Sequence, residues 1–257
     1  MAVGSPFLTG VLSGFAPAMG ILYLMLHRYE GFFDERKVFR ALMFGMAAGA
    51  LVTLAELFLF APATLSPNAA LTTVVIGYPA LETALTTAVM NRQQYRGKKD
   101  TPYYAAAFGL GLGAVSALLL ASIVDLSRER LDQSAGFLFY AVLVQLTVGS
   151  VLIRGAMAVS VGRATAEGLP FSGLIKGLMW LVPFTVLVGL AYFVAPLREG
   201  SASIFFPTAA LAYALFAARY AQRRVLDEIV PDELAQHVRR EMRKQMRPGG
   251  EEEPPRT

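Results

Sequence analysis

The stretch LTTVVIGYPALETALTTAVMNRQQYRGKK, residues 71–99, decides how this chain is read. Its first twenty residues, Leu71 to Met90, are dominated by apolar and small side chains. One carboxylate, Glu82, stands near their middle. As a helix rising 1.5 Å per residue, twenty residues reach roughly 30 Å, the thickness of a bilayer's hydrocarbon core. The stretch then ends in a basic cluster of Arg92, Arg96, Lys98 and Lys99, which by the positive-inside rule marks a cytoplasmic boundary. A carboxylate at the centre of such a span costs roughly 2.5–3.5 kcal/mol or more unless it is paired, neutralised or hydrated. Glu82 is therefore the residue whose surroundings must be explained.

The rest of the composition fits this reading. Of 257 residues 55% are hydrophobic and only 16% charged, against about 25% charged in ordinary soluble domains. The charges sit in short clusters between long apolar runs, as in a polytopic helical membrane protein. There is no cysteine, which excludes disulfides, thiolate nucleophiles and Cys-ligated metals. The two histidines, His27 and His237, lie at the ends of apolar or basic stretches. The net charge of +4 resides in loops and a tail, so membrane orientation explains it without a nucleic-acid partner. No Lys or Arg precedes the first apolar run, and Ser5 to Leu26 is too long for a signal-peptide core, so this run reads as a retained anchor.

The pattern predicts an all-α membrane protein with seven spans: Ser5–His27, Lys37–Ala61, Leu71–Met90, Pro102–Val124, Ala135–Ala158, Phe171–Val194 and Ala202–Tyr220. The fifth is the weakest, because it holds Arg154 and is interrupted by Gly149 and Gly155, with Gly162 just beyond it. Lys and Arg alternate across the connections. Eighteen fall on one set (the first, third and fifth connections and the C-terminal segment) and three on the other. This places the N-terminus outside and the C-terminus in the cytoplasm of a multi-pass plasma-membrane protein. The chain divides into a membrane domain, 1–222, a basic amphipathic helix, 223–247, and a Pro-, Gly- and Glu-rich tail, 248–257, expected to be disordered. In the amphipathic segment Leu234, Val238, Met242 and Met246 recur every four residues, with Arg239, Arg240, Arg243 and Lys244 between them. That pattern fits either a helix lying on anionic lipids or a solvated one.

Within the spans, small residues and lone polar groups define the candidate sites. Ala105, Gly109, Gly113 and Ser116 share a helical face, as do Gly45, Gly49, Thr53 and Glu56. Such faces let helix backbones approach closely in lipid, where apolar burial supplies no drive between helices. For Glu82 the available partners are Arg154, late in the fifth span, and Lys176, early in the sixth. Gln145 and Ser116 are mid-span groups able to bond a neutral carboxyl. A structural polar network of Glu82, Arg154, Lys176, Gln145 and Ser116 stands against a catalytic or transport role for Glu82 and Glu56. Pro79, three residues before Glu82, removes a backbone hydrogen bond and could open a kink that wets the carboxylate.

Three motifs together resemble a known superfamily. Phe15-Ala16-Pro17-Ala18 in the first span, Leu81-Glu82 before a basic loop, and the glycine-rich Phe108–Ser116 are similar to features of the PrsW-type intramembrane proteases. The first and third of these motifs also resemble the anterior-pharynx-defective subunit of gamma-secretase, which shares their membrane fold. The resemblance implies a seven- or eight-helix bundle over roughly residues 7–220. It also implies a glutamate-based or metal-dependent site, which this sequence does not complete. Leu81 stands where the family's first paired Glu is expected, Val115 and Ser116 stand in place of its second acidic motif, and no histidine lies in a later span.

Metal-assisted hydrolysis needs about three N or O ligands and an activated water. One midplane Glu and a distant Glu56 do not supply them, so no cofactor or metal is expected. The sequence accordingly points to a non-catalytic scaffold or assembly partner, meeting another membrane protein or a second copy of itself. The alternatives are an intramembrane protease using Glu82 and Glu56, and a small transporter or lipid-binding protein.

Overall fold

The computed structural model describes residues 14–29, 32–59, 72–130, 137–194 and 202–229, with side chains placed for most of them. Among these the chain is all helix and contains no strand. The principal helices are α1 (Ala16–Leu26), α2 (Glu35–Leu59), α3 (Tyr78–Met90), α4 (Thr101–Arg130), α5 (Phe137–Ala166), α6 (Pro170–Val194) and α7 (Ala202–Tyr220). Four stretches are long and apolar enough to cross a membrane: Glu35–Ala55, Tyr140–Ala166, Pro170–Ala191 and Ile204–Ile229. Large apolar side chains face outward from them, among them Phe44 and Leu51 on α2, Met179 on α6 and Phe216 on α7. A water-soluble protein would not leave so much apolar surface bare, whereas a bilayer covers it. The amphipathic helix expected at 223–247 and the tail lie outside the described residues beyond Ile229.

At the centre of the bundle, α4 packs most extensively against α5 and then against α2. From Thr101 to Ala114 every side chain of α4 is buried. A helix apolar on all sides is stable only when surrounded, and here glycines make room for the neighbours. A Cβ at Gly109 would collide with the Arg154 carbonyl and with Ala158, and one at Gly113 would come within 2.8 Å of the Val151 Cα. On the other side of α4 a Cβ at Gly45 would collide with the Phe108 carbonyl, and one at Gly49 would lie 2.8 Å from the Leu112 carbonyl oxygen. Both small-residue faces found in the sequence are therefore occupied inside the bundle.

The glycines that weakened the fifth span do not interrupt it. Helix α5 is continuous and runs eight residues beyond the expected end at Ala158. Gly155 sits against Leu110 and Gly162 against Ala105 and Pro102 of α4, so close packing offsets their poor helix propensity.

Hydrogen bonds join several connections at one end of the bundle. The first connection meets the C-terminal segment where Tyr29 donates a 2.5 Å hydrogen bond to Asp227. It meets the start of α4 where the Asp34 amide donates to Tyr104, whose hydroxyl donates to Asp100 at 2.7 Å. The end of α5 joins the same layer through Arg163, which bonds Glu228 at 2.5 Å and the Arg224 carbonyl at 3.1 Å. The first, third and fifth connections and the C-terminal segment thus gather at one end. Tilted aromatic rings pack among them: Tyr103 lies 5.3 Å from Tyr29 and 5.6 Å from Phe33.

Candidate functional site

Glu82 lies eight residues, about 12 Å along the axis, before the end of α3. It follows a π-helical turn, Thr73–Gly77, that leads into Pro79 near the start of α3. A wide turn at this point absorbs the hydrogen bond that proline cannot make. The opening expected at Pro79 does not expose the carboxylate, because the Glu82 side chain is only 2% exposed. Helix α3 packs against α5 and α6. A Cβ at Gly177 of α6 would collide with the Thr83 methyl, so the neighbouring helix sits directly against the turn that carries Glu82.

From α5, Arg154 closes the site. Its Nη2 donates to Glu82 Oε1 at 2.5 Å and its Nε to the same oxygen at 3.1 Å. Nη1 turns back one helical turn to the Ser150 hydroxyl. The arginine side chain is 12% exposed, so the pair is almost wholly removed from solvent. A pair in this setting is stable only when both charges are hydrogen-bonded, and the guanidinium fork makes that possible here. Gly109 contributes indirectly: by admitting the Arg154 backbone against α4 it fixes where the guanidinium begins.

The other residues expected around Glu82 go elsewhere. Lys176 is exposed and makes no ion pair with Glu82; it lines a separate cleft. Sequence spacing located it at the right depth, but the rotation of α6 turns it outward. Gln145 accepts a 3.2 Å hydrogen bond from Thr208 of α7. The buried Ser116 hydroxyl has no partner among the described residues. Glu56 lies on α2, and its side chain is outside the described set. Among the described residues no group of three His, Asp or Glu side chains converges in a way that could hold a metal. Ser150, which sequence reading missed, was signalled by its i, i+4 spacing from Arg154 on a helix.

Comparison with family models, curated proteins and solved structures returned no match. As arranged, Glu82 offers no face to a water or a scissile bond.

Proposed function

We propose that this chain is a non-catalytic scaffold of the plasma membrane, a seven-span member of the PrsW and secretase-subunit superfamily. The observation that carries this reading is the closed Glu82–Arg154 pair, with 2% and 12% of the side chains exposed. A proteolytic carboxylate must reach a water and a peptide carbonyl, whereas this one is engaged by a guanidinium and sealed by α5 and α6. The gathering of the basic connections at one end supports a cytoplasmic assignment for that end and an outside N-terminus. The glycine faces are spent on internal packing. A partner helix, or a second copy, would therefore meet the outward apolar faces, such as Phe44 and Leu51 of α2.

Two measurements test this. Reconstituted protein mixed with single-span membrane substrates is expected to cleave none of them above the background of the Glu82→Gln variant. Cleavage lost in that variant would establish the protease reading instead. Membranes solubilised in mild detergent are expected to hold the chain in an assembly larger than its 27.8 kDa monomer. Recovery as a monodisperse monomer would remove the scaffold role.

A further inference from the structure

A cleft of about 510 Å³ opens between α5, α6 and α7 at the basic end of the bundle, well away from Glu82 in the chain. Its walls are amphipathic. Trp180 and Met179 of α6 face Tyr213 and Tyr220 of α7, with the Trp180 ring 6.2 Å from Tyr213 and 5.5 Å from Tyr220. The cleft's edge is apolar and open, with Met179 of its wall 67% exposed and Phe216 beside Trp180 62% exposed. Lys176 precedes Trp180 by four residues, so both project from one face of α6, the lysine about 6 Å nearer the basic end. An ammonium above an indole, beside outward apolar side chains, matches the order of a membrane interface from headgroup to acyl chain.

Most polar groups around the cleft are already engaged. Arg163 is balanced by Glu167 at 2.8 Å and Glu228 at 2.5 Å. Trp180 Nε1 donates to Ser160 at 3.1 Å, and Tyr213 donates to the Met179 carbonyl at 3.2 Å. Lys176 has no ion-pair partner among the described residues, and neither it nor Tyr220 shows a hydrogen bond there. Arg219, Arg223 and Arg224 flank Tyr220 and Val225 in the chain and are exposed. The cleft's own lining thus sets Arg163 and Lys176 against one carboxylate, Glu167, with Glu228 reaching Arg163 from beside it, and leaves Lys176 as the cation without an ion-pair partner, next to the Tyr220 phenol and apolar side chains.

We infer that this cleft binds a glycerophospholipid with a net negative headgroup. Its phosphate accepts from Lys176 and Tyr220, and an acyl chain lies along Met179 and Phe216. A zwitterionic lipid offers the same phosphate, but its cationic group meets Lys176 and the flanking arginines, so the net-negative class is preferred. The inference rests on the membrane placement of α6 and α7 proposed above.

Trp180 is the single tryptophan of the chain, so its fluorescence reports this cleft alone. The full-length protein is reconstituted in phosphatidylcholine with a minor fraction of lipid bearing brominated acyl chains, either phosphatidylglycerol or phosphatidylcholine. Brominated phosphatidylglycerol should quench Trp180 with about fivefold higher apparent affinity, the scale of one lysine at an anionic surface. Lys176→Gln should bring that ratio to near one, while Lys176→Arg retains it. Lys99→Gln, in the exposed basic loop at the same end, should leave it unchanged. Equal quenching by the two lipids in the wild type, or stronger quenching by phosphatidylcholine, would overturn the lipid site while leaving the membrane placement intact. Absence of quenching by either would overturn the placement itself.

Discussion

Two arginines nine residues apart on α5 show how much setting decides what an ion pair does. Arg154 bonds Glu82 midway along the bundle, with side chains 12% and 2% exposed. Arg163 bonds Glu167 and Glu228 near the end of the helix, where the three side chains are 33%, 42% and 62% exposed. The bond lengths are similar, 2.5 Å for the shortest contact in each case. The first pair has given up hydration on both sides, so each charge depends on the other. The second remains hydrated and is screened by salt, and either partner can leave it at little cost.

The largest consequence falls on Glu82. Removing one partner of a buried pair leaves the other charge uncompensated, which costs about 3–5 kcal/mol. Glu82→Gln and Arg154→Gln are each expected to lower the unfolding midpoint in detergent sharply. Glu82→Met combined with Arg154→Met, which removes both charges at similar volume, should recover most of the loss. If the double variant were as unstable as either single one, the pair would not be the cause.

Next is Gly109, which sets the approach of α5. Gly109→Ala puts a methyl into the Arg154 carbonyl and the Ala158 side chain, so α4 and α5 must separate. Overpacking of this kind costs about 1–3 kcal/mol. The separation also shifts the guanidinium, so Gly109→Ala and Glu82→Gln should be less than additive in thermal unfolding.

Smaller still is Arg163→Gln, expected to cost under about 1 kcal/mol and to cost less as salt is raised. A loss as large as that of Arg154→Gln would erase the contrast between the two pairs.

The smallest effect is a slope in pH at the polar end. Burial, and then the hydrogen bond to Asp227, raise the Tyr29 hydroxyl well above its ordinary pKa near 10. The folded state holds the neutral phenol, so its contribution is complete below about pH 10. It is lost progressively as pH rises from there towards the folded value. Tyr29→Phe should flatten the alkaline fall in stability and leave stability near neutral pH only slightly reduced.

The sequence made the helical class and the small-residue faces legible because both rest on spacing along one helix. The two lone charges inside apolar runs, Glu82 and Arg154, were legible as partners for the same reason: neither has a cheap alternative. Lys176 was not legible. Helix α6 is apolar on nearly every side, so its pattern does not reveal which face turns inward, and a lysine near its start can reach water from any of them. The continuity of α5 was obscured because glycine lowers helix propensity locally, while the compensating contacts with Leu110 and Ala105 come from distant sequence. The cleft around Trp180 required three helices to be assembled, and no single segment signals it.

The most direct test of the central claim, that Glu82 is a structural tie, is a double-mutant cycle on Glu82 and Arg154 read by equilibrium unfolding in mild detergent. The account predicts that each single replacement by Met costs several kcal/mol, that the double replacement costs far less than their sum, and that the coupling exceeds about 2 kcal/mol. Additive effects with coupling near zero, or a Glu82→Met variant as stable as the parent, would contradict it.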